Sequence, residues 1–152
     1  MNEVNTAIKK AEQIFKETKN LFSQKRKVIF NILLETNQPL SAYEITERYQ
    51  NKTNGKIAPM SVYRIMDLFI TLNLVHKINS LNKFIACAHI QCQHAHDLVL
   101  LICQKCSSIT ESHFKQNNAD DVSDQIIPKG FKLSTTPWEI QGICSACQVE
   151  IS

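Results

Sequence analysis

The sequence predicts an α+β protein of two parts, a helical part in residues 1–86 and a strand-rich part in residues 87–152. Apolar residues of the first part recur at helical spacing, whereas those of the second form short extended runs. The first part has 13 Lys and Arg against 7 Asp and Glu, and the second has 4 Lys against 7 acids. All six cysteines and four of the five histidines lie in the second part. A basic half, which favours a polyanionic partner, therefore precedes a half rich in metal ligands.

Four helices are predicted in the first part. The third begins at a capping box, because Ser41 stands three residues before Glu44. The fourth begins at Pro59, which suits a first helical turn and follows the basic loop at residues 51–56. The first two are marked by apolar residues at helical spacing: Ile8, Ala11, Phe15 and Phe22, then Val28, Ile29, Ile32 and Leu33.

Two short strands are predicted after the fourth helix, VHKI at residues 75–78 and KFIAC at residues 83–87. Three helices followed by a two-stranded hairpin are the element order of a winged helix-turn-helix, whose last helix enters the major groove of DNA. A plain helical bundle with a basic surface is the alternative that this pattern leaves open.

The helix that would enter the groove reads PMSVYRIMDLF, residues 59–69. We predict that Ser61, Tyr63 and Arg64 are its exposed polar residues. An arginine at such a position can bind guanine O6 and N7 in bidentate fashion. The first part is therefore predicted to bind double-stranded DNA.

The second part changes to the pattern of strands. LVLLIC at residues 98–103 and SSITESHF at residues 107–114 predict two strands joined through a turn. Residues 118–127 predict a helix that ends before a proline and a glycine. FKLSTTPWEI at residues 131–140 predicts a third extended segment, which a proline interrupts.

The sequence shows no sign of export or membrane insertion. Its longest apolar stretches are too short to span a bilayer, and residues 1–13 lack the continuous apolar segment of a secretory signal. We therefore expect a cytoplasmic protein with no membrane partner.

Two C-x-x-C pairs, Cys103 with Cys106 and Cys144 with Cys147, are the strongest chemical signal in the chain. Two sulfurs on a tight turn can face one ion, and two such turns complete a tetrahedral site with Zn–S distances of about 2.3 Å. Four thiolates leave no open position, so the predicted site is structural. Two disulfides are the main alternative, against which the expected cytoplasmic location argues; a redox pair is another.

A second group of possible metal ligands surrounds the junction of the two parts. Each member has an ordinary explanation, such as a surface histidine or a buried cysteine. Metal binding by several of them together would fix one part against the other, which is what a metal-controlled switch requires. The group consists of His76, Cys87, His89, Cys92, His94, His96, Asp97, Glu111 and His113.

Motifs in both halves resemble the ferric uptake regulator family of metal-responsive bacterial repressors, most closely its zinc uptake regulators. The resemblance covers nearly the whole chain, with agreement in order and spacing. The motifs are SAYEI at 41–45, SVYRIMDLF at 61–69, LVHKI at 74–78, and HAHDLVLLICQKCSSITE leading into GICSAC.

The resemblance implies an N-terminal winged-helix DNA-binding domain with a hinge, residues 1–86, and a C-terminal α/β dimerisation domain, residues 87–152. It further implies a homodimer that, with zinc bound, binds an AT-rich inverted-repeat operator and represses genes for zinc import. Two zinc sites per subunit are expected, one structural and one regulatory. Such a protein is not an enzyme and takes no small-molecule substrate.

The resemblance also assigns roles to individual positions. The four cysteines of the two pairs match the structural zinc site of the family. His76, Cys87, His96 and Glu111 match the regulatory site, with His94 as a possible extra ligand or a substitute for His96. Tyr43 and Arg64 match residues that approach operator bases. The other DNA-binding candidates are Ser61, Tyr63 and Lys56, and the candidates for phosphate neutralisation are Lys25, Arg26 and Lys56.

Cys87 decides most of the choice of sensed metal. A thiolate ligand favours Zn²⁺ over Fe²⁺ or Mn²⁺, whose sites use histidine and carboxylate. An iron- or manganese-responsive or peroxide-sensing regulator of the same family is the alternative. A zinc-dependent hydrolase with Glu111 as general base and a passive zinc-storage protein belong to other classes. The hydrolase is disfavoured because the chain lacks an H-E-x-x-H pattern.

Overall fold

The computed structural model divides into two units, Met1–Gln93 and His94–Ser152. It describes residues 2–88, 90, 98–113, 128–131 and 137–149. Cys87 and Ile90 belong to the hydrophobic core of the first unit. The domain division predicted after residue 86 stays a prediction, and the first unit extends beyond that residue.

The four helices predicted in the first unit are confirmed, and the second and third each end at an asparagine. Asn37 and Asn54 adopt left-handed conformations that terminate α2 and α3. Pro59 occupies the first turn of α4, as predicted. The helices are α1 Asn2–Glu17, α2 Gln24–Thr36, α3 Ala42–Thr53 and α4 Pro59–Thr71.

Phe22 corrects the predicted extent of the first helix. The helix ends at Glu17, and Lys19 follows in a left-handed conformation, so Phe22 lies in the loop before α2. Its ring nevertheless stacks on Phe15, with centroids 4.4 Å apart. The apolar spacing correctly placed Phe22 beside Phe15, but a loop, and not a continuous helix, brings the two rings together.

The start of α3 is capped as the sequence predicts. The Ser41 hydroxyl accepts a hydrogen bond from the Glu44 amide at 3.2 Å, and the Ser41 amide donates to Glu44 Oε2 at 2.6 Å. Lys83 Nζ lies 3.2 Å from the same carboxylate. The Ser41 amide hydrogen bond is the main reason why the pKa of Glu44 is held below its ordinary value.

We expect Ser41→Ala to lower the free energy of unfolding of the first unit by about 1 kcal/mol, because an orphan amide loses its acceptor. Glu44→Gln should cost less near neutral pH, because an amide oxygen can still accept from Ser41.

The lowered pKa of Glu44 means that its carboxylate stabilises the fold above the ordinary carboxyl pKa and loses this effect as the pH falls through the folded value. Denaturant unfolding between neutral and acidic pH tests this: Glu44→Gln should lose less stability than the wild type on acidification, and equal losses would contradict it.

Two strands complete a winged helix-turn-helix in the first unit. They are β1 Val75–Ile78 and β2 Lys83–Ala86, paired antiparallel as predicted, with Cys87 just beyond β2. Leu40 joins the pair through reciprocal backbone hydrogen bonds to Phe84 of 2.9 and 2.8 Å. The Tyr63 ring of α4 packs edge-on against Phe84, with centroids 6.1 Å apart. The β1–β2 pair, which is the wing of this fold, and α4, which is its recognition helix, are thereby held together.

The core of the first unit is built from the apolar faces of its helices. Phe15, Phe30 and Phe69 are at most 1% exposed, and their rings meet edge to face at centroid distances of 5.6 and 6.1 Å. These contacts attach α1 to the helix-turn-helix. No helix among the described residues is long and apolar enough to cross a membrane.

The second unit has a mixed three-stranded sheet of order β4-β3-β5. Its central strand pairs antiparallel with β4 and parallel with β5. The predicted strands are present, although β4 is shorter than expected and the third strand begins at the tryptophan, after the proline that interrupts the predicted segment. The helix predicted at residues 118–127 lies outside the described residues. The elements are β3 Leu98–Cys103, β4 Ile109–His113, β5 Trp138–Gly142 and α5 Ser145–Gln148.

Candidate functional site

The parallel pairing of β3 with β5 brings the two cysteine pairs together. Cys103 is paired in register with Gly142, and the Gln104 amide donates to the Gly142 carbonyl at 2.9 Å. Parallel strands end at the same edge of a sheet, so the chain leaves both strands there. Each C-x-x-C turn follows directly, which closes a gap of 37 residues between Cys106 and Cys144.

Each pair folds back through a tight turn. In the first, the Ser107 amide donates to the Cys103 carbonyl at 2.9 Å, and Ser107 adopts a left-handed conformation with φ of 60°. In the second, the Cys147 amide donates to the Cys144 carbonyl at 3.0 Å as α5 begins. These turns aim all four sulfurs at one point.

The sulfur geometry fits a tetrahedral metal site. The four Sγ atoms lie within 4.8 Å of one another, and those of Cys106 and Cys144 are 3.7 Å apart. A tetrahedral ion with Zn–S bonds of about 2.3 Å requires neighbouring sulfurs about 3.8 Å apart. All four cysteines are free thiols, so the disulfide alternative does not describe this structure.

The four sulfurs differ in how readily they ionise, and together they require a cation. Hydrogen bonds from the Cys106 and Cys144 amides lower the pKa of Cys103 to about 6. The hydrogen bond to the Cys144 sulfur is the main reason why the pKa of Cys147 is raised to about 12. Four sulfurs this close cannot all ionise unless a cation balances them. The donor set and its electrostatics both suit Zn²⁺.

A second pair of donors lies in the first unit. His76 is on β1 and is 6% exposed, and Cys87 follows β2 and is 3% exposed. The Cys87 amide donates to the Leu74 carbonyl at 2.9 Å, which places the cysteine beside the start of β1. A donor nitrogen of His76 and the Cys87 sulfur lie within 4.8 Å of each other. A buried imidazole with a thiol is a soft donor pair of the kind that favours zinc.

The other predicted ligands of the regulatory site belong to the second unit. Glu111 is a half-buried residue of β4, opposite Leu100 in the register of the sheet. His94 and His96 lie outside the described residues, as do His89 and Cys92. Their assignments stay predictions.

Most of the predicted DNA-binding residues are exposed. Tyr43, in the first turn of α3, is 68% exposed, and Ser61, Arg64 and Lys56 are also exposed. Tyr63 is half-buried instead, because its ring packs against the wing, so the prediction that it is exposed was wrong.

Two exposed apolar residues of the second unit escaped the sequence analysis. Leu101 is 40% exposed and Ile140 is 47% exposed, and they are partners in the β3–β5 register. Every position of the run LVLLIC is apolar, so no alternation in the sequence marks the outward face. The sequence therefore carries no signal for this face, which only the strand pairing identifies.

The sequence profile of the ferric uptake regulator family matches residues 17–141. The chain belongs to the ferric uptake regulator family. Membership agrees with the winged helix and the cysteine turn at Cys103, both inside the matched span. The second cysteine pair lies beyond that span, so its place in the metal centre rests on the strand pairing described above.

Proteins similar to this chain include zinc uptake regulators of the same family. The Zinc uptake regulation protein of Escherichia coli (strain K12) is 25% identical over 138 residues, which cover 90% of this chain and 78% of the relative. The structure of holo XcZur is 25% identical with a TM-score of 0.74 and covers 95% of this chain and 99% of its own. A zinc uptake regulator complexed with zinc and DNA has the same fold, with a TM-score of 0.80, 22% identity and 98% coverage of both chains.

Proposed function

We propose that this protein is a zinc-responsive transcriptional repressor, whose zinc-loaded homodimer binds operator DNA and represses genes of zinc uptake in the cytoplasm. The single observation that carries zinc as the sensed metal is Cys87, a buried thiol beside a buried imidazole. The relatives that match over most of their length include zinc uptake regulators, one of them solved with zinc and DNA, which supports the same assignment.

Two zinc sites per subunit fit the donors in the chain. The four-cysteine cluster would hold one ion in a closed, structural site. His76 and Cys87, together with His96 and Glu111, would hold the second, regulatory ion. When bound there, zinc supplies a divalent charge that soft and borderline ligands share. Histidine and cysteine must both be deprotonated to bind, so affinity at the regulatory site should rise with pH.

The DNA contacts follow from the exposed residues of α3 and α4. Arg64 would read a guanine edge in the major groove, and Tyr43 would approach the neighbouring bases. Ser61 and Lys56 would contact the backbone, which positions the recognition helix without reading sequence. Tyr63 contributes indirectly, because its ring packs against Phe84 and so joins α4 to the wing.

The exposed pair Leu101 and Ile140 supports a homodimer. Adjacent apolar side chains on the outer face of a sheet are a surface that a second copy can cover. The ferric uptake regulator family consists of dimers, and an inverted-repeat operator requires this two-fold symmetry.

Regulation follows from linkage between the two ligands. A ligand shifts a conformational equilibrium only by its differential affinity, so occupation of the regulatory site must favour the DNA-competent dimer. Operator DNA must then tighten metal binding at that site by the same factor.

We expect the protein to bind its DNA more weakly when only the four-cysteine site is filled, by the roughly 5- to 150-fold that is typical of such couplings. The DNA for this test is selected from the source genome by the zinc-loaded protein. Fluorescence anisotropy with Zn²⁺, Fe²⁺ or Mn²⁺ at equal free concentrations measures this. Zinc should act at the lowest concentration. Equal affinity with and without regulatory metal would overturn the repressor assignment, and preference for iron or manganese would favour the alternative within the family.

A further inference from the structure

The first unit carries a surface cavity that includes Ser61 and Arg64 of the proposed DNA-binding surface and extends beyond them to the start of α2. Its volume is about 370 Å³, and its walls come from the start of α2 and from the segment that leads into and forms α4. Leu21, Ile57 and Ile65 supply the apolar walls, whereas Lys25 and Arg64 supply charge. The cavity is open to solvent, so a group that belongs to a larger molecule can enter it.

The charge of the cavity is positive and unbalanced. Three cationic residues line it and no acidic residue does. Lys25 and Arg64 are exposed, and within the described residues neither forms an ion pair. Ser23, also in the lining, caps α2 by accepting from the Arg26 amide at 3.4 Å, so the positive end of a 13-residue helix lies at the cavity.

Arg26 is the third cation, and the fold already uses it. Its Nη1 donates to the Leu21 carbonyl, and its guanidinium lies 5.9 Å from the centroid of the Phe15 ring. Arg26 therefore shapes the wall and orders the loop between α1 and α2. Phosphate neutralisation by Arg26 stays a prediction, and of the two residues Lys25 alone is without such contacts in the described chain.

We propose that the cavity binds one sugar–phosphate unit of the DNA backbone, with Lys25 Nζ as the main counter-charge of the phosphate. Ile57 and Ile65 would contact the apolar face of the deoxyribose. Arg64 lines the same cavity and lies on the recognition helix, so this phosphate would belong to a nucleotide next to the bases that α4 reads. Such a contact sets the register of the protein on DNA and adds no sequence preference of its own. This inference rests on the proposed function.

The test compares Lys25→Ala with Lys52→Ala in the zinc-loaded full chain. Lys52 is a surface lysine that pairs with Glu35 at 2.6 Å and does not line the cavity. Lys25→Ala should reduce the slope of log affinity against log salt by about 0.9 for each protomer bound, and affinity about fivefold for each at 0.15 M salt. The loss should be equal for operator and unrelated DNA. Lys52→Ala should leave the slope unchanged.

A methylphosphonate scan identifies the phosphate itself. One neutral linkage per half-site should weaken wild-type binding and have no further effect on Lys25→Ala. A wild-type slope in Lys25→Ala, or a loss confined to the operator, would overturn the proposal.

Inorganic phosphate separates this proposal from the proposed function. Titration of the zinc-loaded protein should shift the backbone NMR signals of Ser23 and Lys25, and Lys25→Ala should abolish the shifts. If the wild type binds no operator yet shows these shifts, the repressor assignment fails while the anion site stands. If the shifts are absent and the salt slope is unchanged, the cavity is not a phosphate site.

Discussion

Cys106→Ser should remove one zinc ion from each protomer and unfold the second unit, while the first unit stays folded. The Cys106 side chain is exposed, so exchanging its sulfur for oxygen removes no buried apolar contact. A serine hydroxyl does not ionise near neutral pH and cannot complete the four-thiolate site. Structural zinc contributes about 10–16 kcal/mol in small domains, which is as large as the whole net stability of about 5–15 kcal/mol that a domain has.

Metal analysis and hydrogen exchange measure the two consequences separately. Zinc content should fall by one ion per protomer, and amides of β3 and β5 should lose protection while those of α2 and α4 keep it. Gln104→Ala is the matched control, because Gln104 lies between Cys103 and Cys106. The substitution removes the side-chain amide that donates to Gln141 Oε1 at 2.9 Å, and it removes no sulfur. This control should keep its zinc. A Cys106→Ser protein with full zinc content and unchanged protection would contradict a structural role for the cluster.

Cys87→Ser should abolish the response of DNA binding to zinc and leave the four-cysteine zinc in place. The substitution nearly preserves the volume of a side chain that is 3% exposed, so the first unit should still fold. The loss of the thiolate removes the ligand that favours zinc over iron and manganese. Operator affinity at saturating zinc should therefore fall about 5- to 150-fold, to the value of protein without regulatory metal.

Zinc competition and DNA anisotropy on the same samples test this. The regulatory ion should be lost from Cys87→Ser, and the remaining ion should stay tightly bound. Ala88→Ser is the matched control, since it adds a hydroxyl one residue away at an exposed position and removes no ligand. If Cys87→Ser retains the zinc response with a normal melting temperature, Cys87 is not a sensing ligand.

Local features of the first unit were predictable because their causes act over a few residues. The capping box of Ser41 and Glu44, the start of α4 at Pro59 and the strand at residues 75–78 are all confirmed. Each depends on backbone hydrogen bonds or side-chain alternation within one turn or one strand. Phe22 shows the limit, because helical spacing cannot distinguish a continuous helix from a loop that returns to the same core.

The sequence by itself determined which residues are candidate metal ligands, the winged-helix order of elements and the resemblance to the family, because residue type and short spacing carry that information. Only the tertiary structure decided that β3 and β5 run parallel and deliver Cys103 and Cys144 to one point. It also decided that Arg26 is held by Leu21 and Phe15 while Lys25 remains at an open cavity. The physical reason is that strand pairing and burial depend on contacts between residues far apart in the chain, which no local pattern specifies.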